Sequence, residues 1–218
     1  MSYKITNLGV IVISGFSQKV SDRTGMGELY CKLRKYASPT HYVMHRAWKG
    51  NFKELAAILD RDRTDEFKLV VIAYSWGCGH GVQELAKHLG RFGIRINLLI
   101  LIDPVLKRPG WALSPRQAWA LTRFGRFKVP PNVDQVWSCR QLNHTPFGRK
   151  LRLASKRTKV LGEMVFGSRS NIYKYTNNPG PGDVHELFTN DEIGHNDMDD
   201  QPRIQEKALT LIAEFIGE

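Results

Sequence analysis

Cysteine is scarce in this chain: its 218 residues hold three, Cys31, Cys78 and Cys139. An odd number at such wide spacing matches neither a disulfide framework nor the paired ligands of a structural metal. Reduced thiols in a cytoplasmic setting are the expectation. Long apolar runs are missing as well, so no transmembrane segment is expected. The N-terminal MSYKITNLGVIVISGF has too short an apolar core for a secretory signal and no small-residue cleavage pattern, and reads as structural. Acid is short in the middle of the chain. Residues 104–170 carry 14 Lys and Arg against two acids, Asp134 and Glu163, whereas residues 171–218 carry three against ten. The formal net charge of +11 is thus concentrated in one region. It implies either an anionic ligand or surface as partner, or internal pairing between the basic middle and the acidic tail.

Phosphate-cradling motifs are absent too. GCGHGV at 77–82 has Val82 where Gly-x-Gly-x-x-Gly needs its third glycine, and no Gly-Lys-Ser/Thr follows. HNDMDD at 195–200 lacks the glycine and the distal glutamate of an EF-hand loop, and acids ahead of a helix simply favour its positive end. No metal and no cofactor are expected. The basic middle has no aromatic-platform motif, which weighs against nucleic acid.

What the chain does have is a rhythm of apolar runs and helical periods. LGVIVIS at 8–14, HYVMHRAW at 41–48, KLVVIAY at 68–74, IRINLLILID at 94–103 and NVDQVWSC at 132–139 read as strands. Between them, ELYCKLRKY after a loop with Gly25 and Gly27, NFKELAAILDRD starting at Asn51, and GVQELAKHLGRFG read as helices. A short helix is expected near 115–123, residues 149–166 read as basic and irregular, and NNPGPGD at 177–183 as a loop. The last helix, QPRIQEKALTLIAEFIG, has Asp200 placed to cap it. With no linker, repeat or low-complexity segment, the expectation is one α/β domain over 1–218: three layers around a mostly parallel central sheet.

KLVVIAY runs directly into Ser75, and the next helix follows at once. A strand that reverses into a helix forces its turn residue into a strained conformation and needs small residues two positions to either side. Ala73 and Gly77 meet that need. Ala73-Tyr74-Ser75-Trp76-Gly77 resembles the nucleophile elbow of the α/β-hydrolase superfamily, usually Gly-x-Ser-x-Gly, with alanine for the first glycine. The resemblance extends over most of the chain as an order of elements. It implies a small α/β-hydrolase fold and a triad in the order Ser, acid, His.

Of the histidines after Ser75, His195 lies just before the terminal helix, where the family places its catalytic histidine; His185 is the competing choice. Asp103 ends the strand after the nucleophile strand, ahead of Pro104, a lipase-like position for the acid. The commoner position, after NVDQVWSC, holds Arg140, Gln141, Leu142 and Asn143 and no acid. The family also implies an oxyanion hole of backbone N–H groups, here from Trp76 and from Phe16 in the loop after the first central strand. Residues 105–130 would form a lid carrying Trp111 and Trp119 among six basic residues, suited to an acyl chain bearing an anionic group. Cys78 reads as a small packing residue. The resemblance thus implies a serine hydrolase of carboxylic esters or thioesters. The competing expectation is a non-catalytic protein that binds an anionic partner through its basic middle.

Overall fold

The strands read as buried become the centre of a seven-stranded sheet in a computed structural model, which describes residues 7–16, 18, 20, 23–38, 41–105, 126–143, 148–177, 185–189 and 193–217. Chain order is β1 (Leu8–Ile13), α1 (Gly25–Tyr36), β2 (Tyr42–Arg46), α2 (Phe52–Asp62), β3 (Lys68–Tyr74), a π-helical turn (Gly77–Val82), α3 (Gln83–Arg91) and β4 (Ile96–Ile102). Then come β5 (Phe127–Val129), β6 (Val133–Gln141), β7 (Leu151–Leu153), β8 (Lys159–Gly167), α4 (Arg169–Thr176), β9 (His185–Thr189), a 3-10 turn (His195–Asp197) and α5 (Pro202–Gly217). The sheet runs β2-β1-β3-β4-β6-β8-β9, with every neighbouring pair parallel. β5 and β7 form a separate parallel pair.

Alternation along the central strands makes the layers, because successive side chains leave a strand on opposite faces. Ile11, Ile13, Val71, Ala73, Leu99 and Leu101 face α2 and α3 through Leu55, Leu59, Leu85 and Leu89. Val10, Val12, Val70, Ile72, Leu98 and Ile100 face α1 and α5 through Leu29, Leu33, Ala208 and Leu211. Both faces of these strands are covered, which is why their sequences are apolar throughout.

Several helix ends and two strands depart from expectation. The loop assigned to Gly25 and Gly27 is the first turn of α1, capped by Thr24, whose Oγ1 accepts from Gly27 N at 3.1 Å. Asn51 caps α2 as expected, accepting from Glu54 N at 3.2 Å. Asp200 does not cap α5: its carboxylate accepts from the Gly25 backbone at the head of α1, and the Gln201 carbonyl receives Ile204 N and Gln205 N. The stretch 149–166, expected to be irregular, holds β7 and most of β8. Gly162 and a buried Glu163 split the apolar run of β8, and a register shift at Val136/Trp137 of β6 lies opposite the glycine. The helix expected near 115–123, Trp111, Trp119 and most of 105–130 lie outside the described residues.

Candidate active site

The strand order reverses between β1 and β3: the chain leaves β1 for β2 on one side and returns to β3 on the other. In an open parallel sheet such a reversal opens a crevice at the carboxyl edge. Ser75 follows β3 directly at that edge, and Phe16 stands in the loop after β1.

Ser75 has φ 55° and Asp103 φ 44°, the two non-glycine residues in the left-handed region among those described. Each such residue costs about 1–3 kcal/mol and persists only where its surroundings hold it. Ser75 N donates to Ile102 O at 3.0 Å, and the Ser75 carbonyl accepts from Val105 N at 3.2 Å and from Cys78 N at 3.1 Å, where the π-helical turn begins. Asp103 N donates to Cys139 O at 2.8 Å. These bonds stitch the ends of β3, β4 and β6 together. The small residue at 77 has a concrete reason: a Cβ there would stand 2.7 Å from Ser14 O and 2.8 Å from Ile13 O.

Three side chains form one hydrogen-bonded row. Ser75 Oγ is 2.7 Å from His195 Nε2, and His195 Nδ1 is 2.5 Å from Asp103 Oδ2. Asp103 is fully buried, Ser75 nearly so, and the His195 side chain is 11% exposed at the open end. With Nδ1 donating to the carboxylate, Nε2 is left as an acceptor facing the serine hydroxyl. The competing histidine, His185, is elsewhere: it opens β9, 2.9 Å from the Tyr175 hydroxyl and 3.6 Å from Glu163.

No protein-family model matches the chain, and no curated protein matches it.

Four supports in and around the row escaped sequence reasoning. Tyr74 stacks on the His195 ring, with centroids 5.3 Å apart at 25°, and its hydroxyl donates to the His195 carbonyl. Burial, with acids nearby, pushes the Tyr74 phenol well above its ordinary value and keeps it a donor. Gln141, at the end of β6, donates to Asp103 through its backbone N (3.0 Å to Oδ1) and its side-chain amide (3.4 Å to Oδ2). Gly148 closes over the acid: a Cβ there would lie 2.0 Å from Asp103 Oδ1 and 2.4 Å from Arg140 Cβ. Gln18 accepts from Gly15 N at 3.0 Å and donates to Asp199 Oδ2 at 2.8 Å, tying the loop after β1 to the segment after His195. Each joins residues far apart in sequence. A periodicity window holds no signal for any of them.

Phe16 and Trp76 stand beside the serine with ring centroids 4.3 Å apart, and Trp48 lies 5.8 Å from Phe16 and 5.5 Å from Trp76. Phe16 is 54% exposed, so this aromatic cluster meets solvent at Phe16, while Trp48 is buried behind it. The thiols of Cys78 and Cys139 are buried and pushed far up by that burial, which keeps them protonated and inert. Among the described residues, no group of three or more His, Cys, Asp or Glu side chains is arranged to hold a metal.

Asp199 carries a pH dependence. It is 1% exposed, accepts from Met26 N at 3.1 Å as well as from Gln18, and burial raises its pKa from 3.8 to about 6. A raised carboxyl pKa favours the folded state most below 3.8, and that contribution is lost as pH rises through 6. About two units correspond to roughly 3 kcal/mol. Relative to the natural chain, Asp199→Asn is therefore expected to gain up to about 3 kcal/mol in unfolding free energy between pH 4 and pH 7. Urea midpoints of both proteins across that range check it; a constant difference would remove Asp199 as the source.

Proposed function

We propose that this protein is a serine hydrolase of the α/β-hydrolase type that cleaves a carboxylic ester or thioester through an acyl-enzyme on Ser75. The observation that carries the reading is the unbroken row from Ser75 Oγ through the His195 ring to Asp103, set at the edge where the strand order reverses. Supporting it are the elbow strain at Ser75 and the close approach at Gly77.

In this reading His195 Nε2 takes the hydroxyl proton as Ser75 Oγ attacks the acyl carbon. The resulting imidazolium is held by Asp103, which stays ionised. The developing oxyanion is received by backbone N–H groups of Trp76 and Phe16. Collapse of the tetrahedral intermediate expels the alcohol or thiol, which leaves with the proton from Nε2. Water, deprotonated by the same nitrogen, then cleaves the acyl-enzyme and restores Ser75. The exposed Phe16 ring, backed by Trp76 and the buried Trp48, suits an apolar acyl or aryl group beside the reacting carbon. The reading includes a single domain and a cytoplasmic setting, which the three unpaired cysteines suit. Among the described residues no helix is long and apolar enough to cross a membrane.

The direct test is a fluorophosphonate probe followed by peptide mapping. One covalent adduct on Ser75 is expected. Folded protein that stays unlabelled overturns the proposal.

A further inference from the structure

The basic middle of the chain has two carboxylates, and both are taken. Asp134 lies 2.5 Å from Arg95 and accepts from Asn97 at 3.0 Å. Glu163, 3% exposed, accepts from Arg140 Nε at 2.8 Å and from the Tyr175 hydroxyl. Four acids of the tail are engaged elsewhere. Glu186 pairs with Lys207, Asp199 binds Gln18 and Met26, Asp197 accepts from Gly194 N, and Asp200 holds the head of α1. Among the described residues, none of these four acids answers a Lys or Arg of the basic middle.

Arg149 makes the shortage acute. It is 3% exposed, its Nε and Nη2 have no hydrogen-bond partner, and no carboxylate of the described residues is within ion-pair reach. Arg140 is as deeply buried, but its charge is answered by Glu163 and its guanidinium lies over the Tyr175 ring at 4.5 Å. Burial alone lowers the Arg149 pKa to about 10, with no acid opposing it. The neighbouring Lys150 is lowered too, first by burial and then by the charges of Arg140 and Arg126. A buried guanidinium without a counter-charge is strongly unfavourable, whereas an oxyanion would satisfy its planar fork. Arg149 also borders the candidate site: its backbone N donates to Pro104 O at 2.8 Å, and Gly148 before it covers Asp103.

We propose that Arg149 is the centre of a binding site for a small oxyanion, a phosphate or carboxylate group, beside the triad acid. If the hydrolase reading holds, and only then, that group is part of the substrate: an ester whose acyl or alcohol portion carries a negative charge.

The probe is inorganic phosphate against chloride at equal ionic strength, read by thermal unfolding of the full chain and of its Ser75→Ala, Arg149→Met and Arg149→Lys variants. The natural chain and Ser75→Ala are expected to gain about 4 °C in Tm at a phosphate concentration ten times Kd. Arg149→Met should start at or above the natural Tm, having lost an unanswered buried charge, and should not respond. Arg149→Lys, with the charge but without the fork, should keep part of the response. The proposal is overturned by a natural chain that phosphate leaves unmoved, by an equal response in Arg149→Met, or by an Arg149→Met that melts well below the natural chain. Because Ser75→Ala reads binding without turnover, failure of the hydrolase reading would leave the phosphate response in place.

Discussion

Ser75→Ala is expected to lower kcat for a 4-nitrophenyl acyl ester by about 10⁴-fold or more while leaving the fold intact. The hydroxyl makes one side-chain hydrogen bond, to His195 Nε2. Its loss therefore leaves a partly exposed ring nitrogen rather than an orphan in the core. Alanine meets the same left-handed backbone that serine does at φ 55°, so strain changes little. What disappears, in the proposed mechanism, is the atom that bonds to the acyl carbon, and with it the division of one difficult step into two easier ones. Residual rate would come from the oxyanion donors and from binding alone. Kinetics and thermal unfolding on one preparation check both halves. A variant that keeps more than a tenth of the kcat would sink the assignment of Ser75.

Asp103→Asn should cost about 10⁴-fold in kcat as well, by a different route. The carboxylate faces three donors: Gln141 N on Oδ1, and His195 Nδ1 and the Gln141 amide on Oδ2. An asparagine must turn its NH₂ toward one side. Toward His195, it would draw the imidazole into the tautomer with its proton on Nε2, which cannot accept from Ser75. Toward Gln141, it opposes one N–H to another in a site with no exposure to water. Either way a buried polar group goes unsatisfied, at about 1–3 kcal/mol. Asparagine tolerates the left-handed region about as well as aspartate, so φ 44° adds no further penalty. The paired measurement is kcat and the urea midpoint. A normal kcat would remove Asp103 from the row even if stability fell.

The parts that sequence reading reached were those whose evidence is local. The β-branched runs of β1, β3 and β4 are buried on both faces and contain few competing polar residues. The strand-to-helix reversal announced Ser75 through its small neighbours, while Asp103 and His195 each stand where an element ends or begins. β8 was lost for the opposite reason. Its Glu163 is acceptable in a strand only because Arg140 and Tyr175, 23 and 12 residues away, answer it in the interior. Gln141 shows the same limit within the site. It occupies the position where the commoner family pattern would place an acid, and it holds Asp103, the proposed acid, across 38 residues of chain. Neither pairing leaves a mark in any window shorter than the loop it closes.

The tie from Gln18 to Asp199 spans 181 residues, and Gln205 in α5 reaches back to the Gly25 carbonyl at 3.2 Å. His195 and its supports thus close onto the first loop of the sheet from across the fold, and loosening of α5 with the segment before it would part His195 from Ser75 while β3 and its elbow stay formed. In the proposed reading, fluorophosphonate labelling should therefore fall with this local opening, before the sheet itself unfolds.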